Sequence, residues 1–178
     1  VDKAARRTGA EAVIIAGDPR ARTTVMEEVS PDILECAVES DRGDALEIDL
    51  SRVLDLKTAE RVFTVAERFE RELAHGERAV AGLPATVEAV RKGQVETLIL
   101  DEDPDNPSRL WIGPDPVDVA TKPDELNGKA HEDRADAALI RAVAATDGDL
   151  VILPSNGPEV TLGVGAVLRY SDPTTVHY

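Results

Sequence analysis

Apolar and polar positions along the chain fall into short blocks whose period changes several times. Residues 11–17, "EAVIIAG", form a continuous apolar run closed by glycine, the pattern of a strand buried on both faces. Asp18 and Pro19 then open a helix, since an aspartate can cap free amides and a proline suits the first turn. That helix runs to about Val29, before Pro31. "ILECAVES", residues 33–40, reads as a second strand, and "DRGDA" as a polar turn. Strand–helix–strand is the unit of an α/β layer.

Residues 49–75 carry a long helical pattern. Leu50, Val53, Leu54, Val62, Phe63, Ala66, Phe69 and Leu73 recur at three- and four-residue steps between charges, and Gly76 stops the run. After this bridge, "GLPATVEAVRKG" predicts a short helix with Pro84 in its first turn and Gly93 just past its end. "QVETLILDED" follows as a strand, with Gln94 as its lead-in. "RLWIG" predicts another strand, with Trp111 as an apolar anchor. Residues 132–146 predict an amphipathic helix with acids in its first turn. "DLVILP" and "GVGAVLRY" close the chain as strands, with residues 154–160 as a turn-rich surface loop between them. The second lobe thus reads as three or four strands interleaved with helices, a compact α/β/α sandwich. The first residue is Val1, and "VDKAARRTGAEAVIIAG" reads as the tail of a helix entering a strand. The expectation is a fragment that lacks an N-terminal portion.

Composition narrows the function classes. The 178 residues hold 42% apolar side chains but only 3% aromatic ones, so the core is built from Ala, Val, Leu and Ile. Few flat side chains remain for stacking on bases. Lys and Arg number 20 against 35 Asp and Glu, a formal charge of −15 that repels phosphate backbones and acidic membranes. The charge is uneven. Residues 1–48 hold 6 basic and 11 acidic side chains, residues 49–82 hold 6 and 7, and residues 83–178 hold 8 and 17. The nearly neutral bridge therefore offers Arg52, Arg61, Arg68 and Arg71 as candidate contacts for a partner. One cysteine, Cys36, forms no intramolecular disulfide, and no apolar run reaches the length of a membrane span. A reducing, cytoplasmic setting is the simple reading.

Chemical motifs are sparse. "DEDPDNPSRLWI" starts like a calcium loop, with Asp101, Asp103 and Asp105 at alternate positions. Its sixth and twelfth positions are Asn106 and Ile112, where an EF-hand needs Gly and Glu. The loop reads as an acidic, solvated segment and a candidate partner contact. "HEDRAD" lacks the second histidine of a zinc-protease helix and reads as a charged helix start. Gly163-x-Gly165 lacks the third glycine of a dinucleotide loop, so these glycines predict close backbone packing around a terminal strand. No Gly-Lys-Ser/Thr run and no Gly-x-Ser-x-Gly elbow occurs. The sequence offers no active site, no metal site and no cofactor site, and the expectation is a protein that is not an enzyme.

One family accounts for the blocks in order. "GERAVAGLPATVEAVRKGQVETLILDED" resembles the opening of the third domain of archaeal and eukaryotic class-1 release factors and their relative Pelota. "DRADAALIRAVAATDGDLVILP" and "GVGAVLRY" resemble the helix and strands that close that domain, and "AVIIAGDPRARTTVMEEV" is similar to the end of the family's middle domain. The bacterial branch, which includes Balon-type ribosome hibernation factors, is the nearest likeness, over a C-terminal half only. The resemblance implies an α/β fold in which residues 1–48 end a middle domain. Residues 49–178 would then be a linking helix plus a third domain resembling kink-turn-binding ribosomal proteins. It implies a ribosome-associated factor of the hibernation or stress type that occupies the A site, with elongation factor Tu or another translational GTPase as partner. Contact with rRNA would fall to the missing N-terminal part. The family's hydrolytic Gly-Gly-Gln lies upstream in the middle domain, and Lys92-Gly93-Gln94 departs from it. The alternatives are a release or rescue factor that hydrolyses peptidyl-tRNA through an upstream motif, and an RNA-binding kink-turn module.

Overall fold

The computed structural model describes residues 1–41, 44–103, 105–154 and 163–177, and of residues 44 and 45 the backbone alone. The chain forms two compact units, Val1–Arg61 and Val62–Tyr178.

In the first unit, helix α1 (Asp2–Thr8) precedes strand β1 (Val13–Ala16), helix α2 (Pro19–Glu28), the one-turn helix α3 (Pro31–Leu34) and strand β2 (Ala37–Ser40). Asp18 caps α2 by accepting from the Arg20 amide at 3.0 Å, and Pro19 takes the first helical position, as expected from their order. β1 and β2 pair in parallel, Val13 opposite Ala37 and Ala16 opposite Ser40. Only the second half of the predicted second strand is extended, since Ile33 and Leu34 belong to α3 and Glu35 and Cys36 form a turn. Pro31 starts a turn that carries Ile33 into the core, and extended backbone begins only at Ala37. The reason is local, because Ser30-Pro31 offers a first helical turn that the apolar run alone does not reveal. Of the polar turn "DRGDA", residues 42 and 43 lie outside the described residues.

Helix α4 (Asp44–His75) starts earlier than its pattern suggests and spans the boundary between the units. Its apolar positions do not form one stripe. Val53, Ala66 and Phe69 are buried, whereas Leu50, Leu54 and Phe63 are exposed. Phe63 is six residues from Phe69 and so stands about 120° around the helix from it.

The second unit is an α/β/α sandwich with an added small sheet. Strand β3 (Ala79–Ala81), helix α5 (Leu83–Arg91) and strand β4 (Val95–Asp101) come first. Strands β5 (Arg109–Ile112), β6 (Val119–Ala120) and β7 (His131–Arg134), helix α6 (Ala135–Ala144), and strands β8 (Asp149–Leu153) and β9 (Val164–Leu168) follow. The main sheet has the order β3-β9-β4-β8, with β4 and β8 parallel and β9 antiparallel to both its neighbours. On one face, α5 and α6 cover a core that includes Val80, Val90, Leu98, Leu139 and Leu168. On the other, Phe69 of α4 packs with Ile99, Val151 and Val167. The small sheet β6-β5-β7 is antiparallel and adds Leu110, Ile112 and Val119 to the first of these cores.

Three strands were not expected. β3 and β6 are three and two residues long, and β7 is made of His131, Glu132, Asp133 and Arg134. The first four residues of the "HEDRAD" segment are thus a strand and not a helix start, since pairing with β5 (His131 opposite Ile112, Arg134 opposite Arg109) satisfies their backbone. The helix begins at Ala135. Residues 155–160 of the expected surface loop lie outside the described residues.

Gly93 ends α5 in the left-handed conformation, φ 66°, with its amide donating to the Val90 carbonyl at 2.9 Å and the Gln94 amide to Ala89 at 3.0 Å. Gly76 closes α4 in the same way. Gln94 is more than a lead-in. It is 1% exposed, and its Nε2 donates to Asp172 Oδ2 and to Thr175 Oγ1, both at 3.3 Å. It therefore anchors the segment after β9. That segment continues to His177, whose carbonyl accepts from the Ala81 amide and whose Nδ1 donates to the Ala79 carbonyl, both at 2.7 Å. The outer edge of β3 is covered in this way, as an open sheet edge requires.

Candidate functional site

β4 and β8 run side by side in parallel and end together at Asp101 and Leu153. The open end of parallel strands, beyond their carboxyl termini, is where α/β sheets form crevices. Here the crevice is a cavity of about 260 Å³. Leu100 lies at its β4 end, Leu83 comes from the start of α5, and Ala135, Leu139 and Ile140 from α6. Ile152 comes from β8 and Val164 from β9.

Why the sheet leaves this space open follows from the alternation along β8. Val151 and Leu153 are buried in the cluster that holds Phe69, while Leu150 packs against the opposite core. Ile152 belongs to the Leu150 side, because strand side chains alternate, yet it is 50% exposed. Ile140, on α6, is 36% exposed. Two isoleucines from different elements thus meet solvent at the same cavity.

The rim is acidic. Asp101, Glu102, Asp103 and Asp136 line the cavity, and no Lys, Arg or His does so among the described residues. Asn106 and Ser108 complete it. The loop is shaped by its own side chains. Asp103 Oδ1 accepts from the Asp105 amide at 3.1 Å, and Asn106 Oδ1 from the Ser108 amide at 2.9 Å, the turn-forming habit of short polar residues. Asp136 is gripped by Arg134, whose Nε and Nη2 donate to its two oxygens at 3.0 and 2.6 Å. Those bonds hold its carboxyl below the usual range, against the opposing pull of partial burial. Arg134 also feels the charges of Asp103 and Asp105. No group of three or more His, Cys, Asp or Glu side chains is arranged to hold a metal ion among the described residues.

The candidate contacts from the sequence fall in separate places. Asp101 and Asp103 line the cavity, and Asp105 sits in the same loop. Arg52 lies in the first unit, 3.7 Å from Asp49 one turn away and mostly in solvent. Arg61 ends that unit, and its side chain has an interaction partner. Arg68 is committed to structure. Its two terminal nitrogens donate to the two oxygens of Glu96 at 2.5 and 2.8 Å, a fork-to-fork pair. Glu96 is the extra residue where the β4–β9 register shifts. Arg71 reaches Glu72 at 4.0 Å. Within the second unit, neither Arg68 nor Arg71 lines the cavity with the acidic loop. Sequence reasoning missed Ile140, Ile152 and Asp136. The sequence marked "QVETLILDED" and "DLVILP" as strands, but only their parallel pairing, with a common end at Asp101 and Leu153, marks the crevice.

Residues 1–75 match the family model of bacterial archaeo-eukaryotic release factor family 2. The resemblance to the bacterial release-factor-like family holds. In fold, the chain is similar to archaeal Pelota in a ribosome-bound model with ABCE1, with TM-score 0.57 and 20% identity over 94% of this chain and 46% of that one. It is also similar to Dom34 of S. cerevisiae, a translation termination-like factor involved in RNA quality control and interacting with Hbs1. There the TM-score is 0.53 and the identity 14%, over 97% of this chain and 51% of that one. The chain thus spans about half the length of these structures. No curated protein matches it significantly. No helix is long and apolar enough to cross a membrane among the described residues.

Proposed function

We propose that this release-factor-like chain is part of a ribosome-associated translation factor of the hibernation or stress type that occupies the A site. Residues 1–48 form the end of its middle domain, and residues 49–178 its linking helix and third domain. The observation that carries the reading is the family match over residues 1–75, and the Pelota-type fold of the whole chain agrees with it. Within that factor, this portion is a non-catalytic docking module. The cavity at the shared end of β4 and β8 has an apolar floor and an acidic rim, which suits a protein and disfavours a phosphate backbone. The partner is a translational GTPase such as elongation factor Tu, and the setting is the cytoplasm.

Co-sedimentation with vacant ribosomes, with and without elongation factor Tu, tests this. The chain is expected to pellet with ribosomes when the GTPase is present and to stay in solution without it. Failure to pellet in either case at low salt sinks the functional reading and leaves only the fold.

A further inference from the structure

The apolar part of the cavity at the shared end of β4 and β8 is unusual for its position. Leu98 and Ile99 of β4, and Val151 and Leu153 of β8, are almost fully buried, so the sheet is well covered a few residues away. At its end, Ile152 is half in solvent beside Ile140. One exposed isoleucine needs no explanation; two from separate elements facing one concave site do. A space of about 260 Å³ is below the usual range for drug-sized ligands and is suited to one or two side chains.

The charge around it selects among occupants. Four carboxylates and no cation line the cavity among the described residues. Arg134 neutralises part of one of them from outside, through its pair with Asp136. Asp105 adds a further negative charge in the adjoining loop. The local potential is therefore negative on a chain already at −15, which attracts a cationic segment and repels nucleic acid.

We propose that this cavity is a docking pocket for a segment of a partner protein that presents an apolar side chain next to lysine or arginine. The apolar side chain enters between Ile140 and Ile152, and the cationic neighbours lie along Asp101, Asp103 and Asp136. The proposal rests on the reading of this unit as a protein-docking module and specifies which face docks and what chemistry it recognises.

The test uses the whole chain and a displayed library of random dodecapeptides, followed by the synthetic form of the most enriched peptide. Enrichment of an apolar residue adjacent to Lys or Arg is expected. I152S and I140S should each weaken the synthetic peptide about five- to tenfold, the scale of losing an anchor contact. D103N should weaken it less and flatten its salt dependence. Trp111 fluorescence melts show that each variant still folds. Acidic or uncharged consensus peptides, no enrichment at all, or binding untouched by I152S and I140S would overturn the proposal. So would a short RNA hairpin that competes for the site.

The same variants in the ribosome sedimentation separate the two readings. If the wild-type chain pellets with the GTPase and both isoleucine variants pellet equally, the pocket is wrong and the functional reading stands. Peptide binding without any ribosome association means the reverse.

Discussion

Gly165, in the middle of β9, lies under the ring of Phe69. A Cβ added there would stand 2.7 Å from both Cε2 and Cζ of that ring and 3.0 Å from the Val80 carbonyl oxygen on β3. The ring is 3% exposed and belongs to the core formed with Ile99, Val151 and Val167, so it cannot swing into water. The carbonyl is fixed by the β3–β9 pairing, in which Val80 faces Ala166 and Ala81 faces Gly165. Gly165→Ala therefore overpacks a closed site, with an expected cost of about 1–3 kcal/mol. Phe69→Leu removes the two ring atoms that the new methyl would meet. Alone it leaves a void and costs less than the roughly 3–5 kcal/mol of a full truncation to alanine. Combined with Gly165→Ala it relieves the clash, so the double variant should be more stable than the sum of the singles by about 1 kcal/mol or more. Urea unfolding followed by Trp111 fluorescence is the suitable assay, because the chain has one tryptophan and it lies in the same unit as both residues. Each midpoint should move with the slope unchanged. Gly165→Ala within about 0.5 kcal/mol of wild type, or singles that simply add, would refute the argument from close packing.

Thr86 is fully buried on α5 and its hydroxyl has no hydrogen-bond partner among the described residues, so a polar group sits desolvated without compensation. Thr86→Val should raise stability by about 1 kcal/mol in the same assay, while a loss of that size would mean the hydroxyl is satisfied in solution. The Arg68 bonds hold the Glu96 carboxyl below its ordinary value of 4.5, so the folded state binds that proton more weakly than the unfolded chain. The pair's contribution is then complete above about pH 4.5 and is lost as pH falls through the lowered folded value. Both side chains are about a third exposed, which limits it to about 0.2–1 kcal/mol. Glu96→Gln should therefore lose less stability than wild type between pH 7 and pH 3, and equal losses would remove Glu96 as a source of acid sensitivity.

What the residue pattern revealed of the fold follows from how each element is stabilised. β4, β8 and β9 are held by apolar burial, and their runs stand out in the sequence. β7 is held by backbone pairing to β5, and its four side chains, all polar or charged, carry no hydrophobic period at all. β3 is too short for a period to show, and it exists because β9 pairs with one edge and the segment ending at His177 covers the other. Of Gly163-x-Gly165, the reading as close packing applies to Gly165, where the contact with Phe69 gives its cause, whereas Gly163 takes a positive φ of 75° with space for a Cβ. Of the candidate site, the acidic loop was visible as composition. Ile140 and Ile152 were not, because an isoleucine in a periodic helix or a buried strand looks like core until its exposure is seen.

Two inversions of the ordinary distribution therefore organise this unit, and they point in opposite directions. A glutamine that looks like chemistry beside a glycine, Gln94, is buried and spends both its donors on Asp172 and Thr175. A polar side chain taken out of water needs such partners, and these partners belong to the chain's own last segment. Its donors are met inside the molecule, while its buried Oε1 has no hydrogen-bond partner among the described residues. Ile152, which looks like core, is left in water at a cavity whose other walls are apolar and whose rim is negative. The same strand buries Val151 and Leu153, and among the described residues Ile152 stays half exposed. A buried polar group whose donors are met by its own chain is accounted for as structure, whereas two exposed isoleucines at one concave, acidic site fit the docking pocket proposed above. That asymmetry is why the triplet Lys92-Gly93-Gln94 is structural, and why the search for a partner begins at the end of β8.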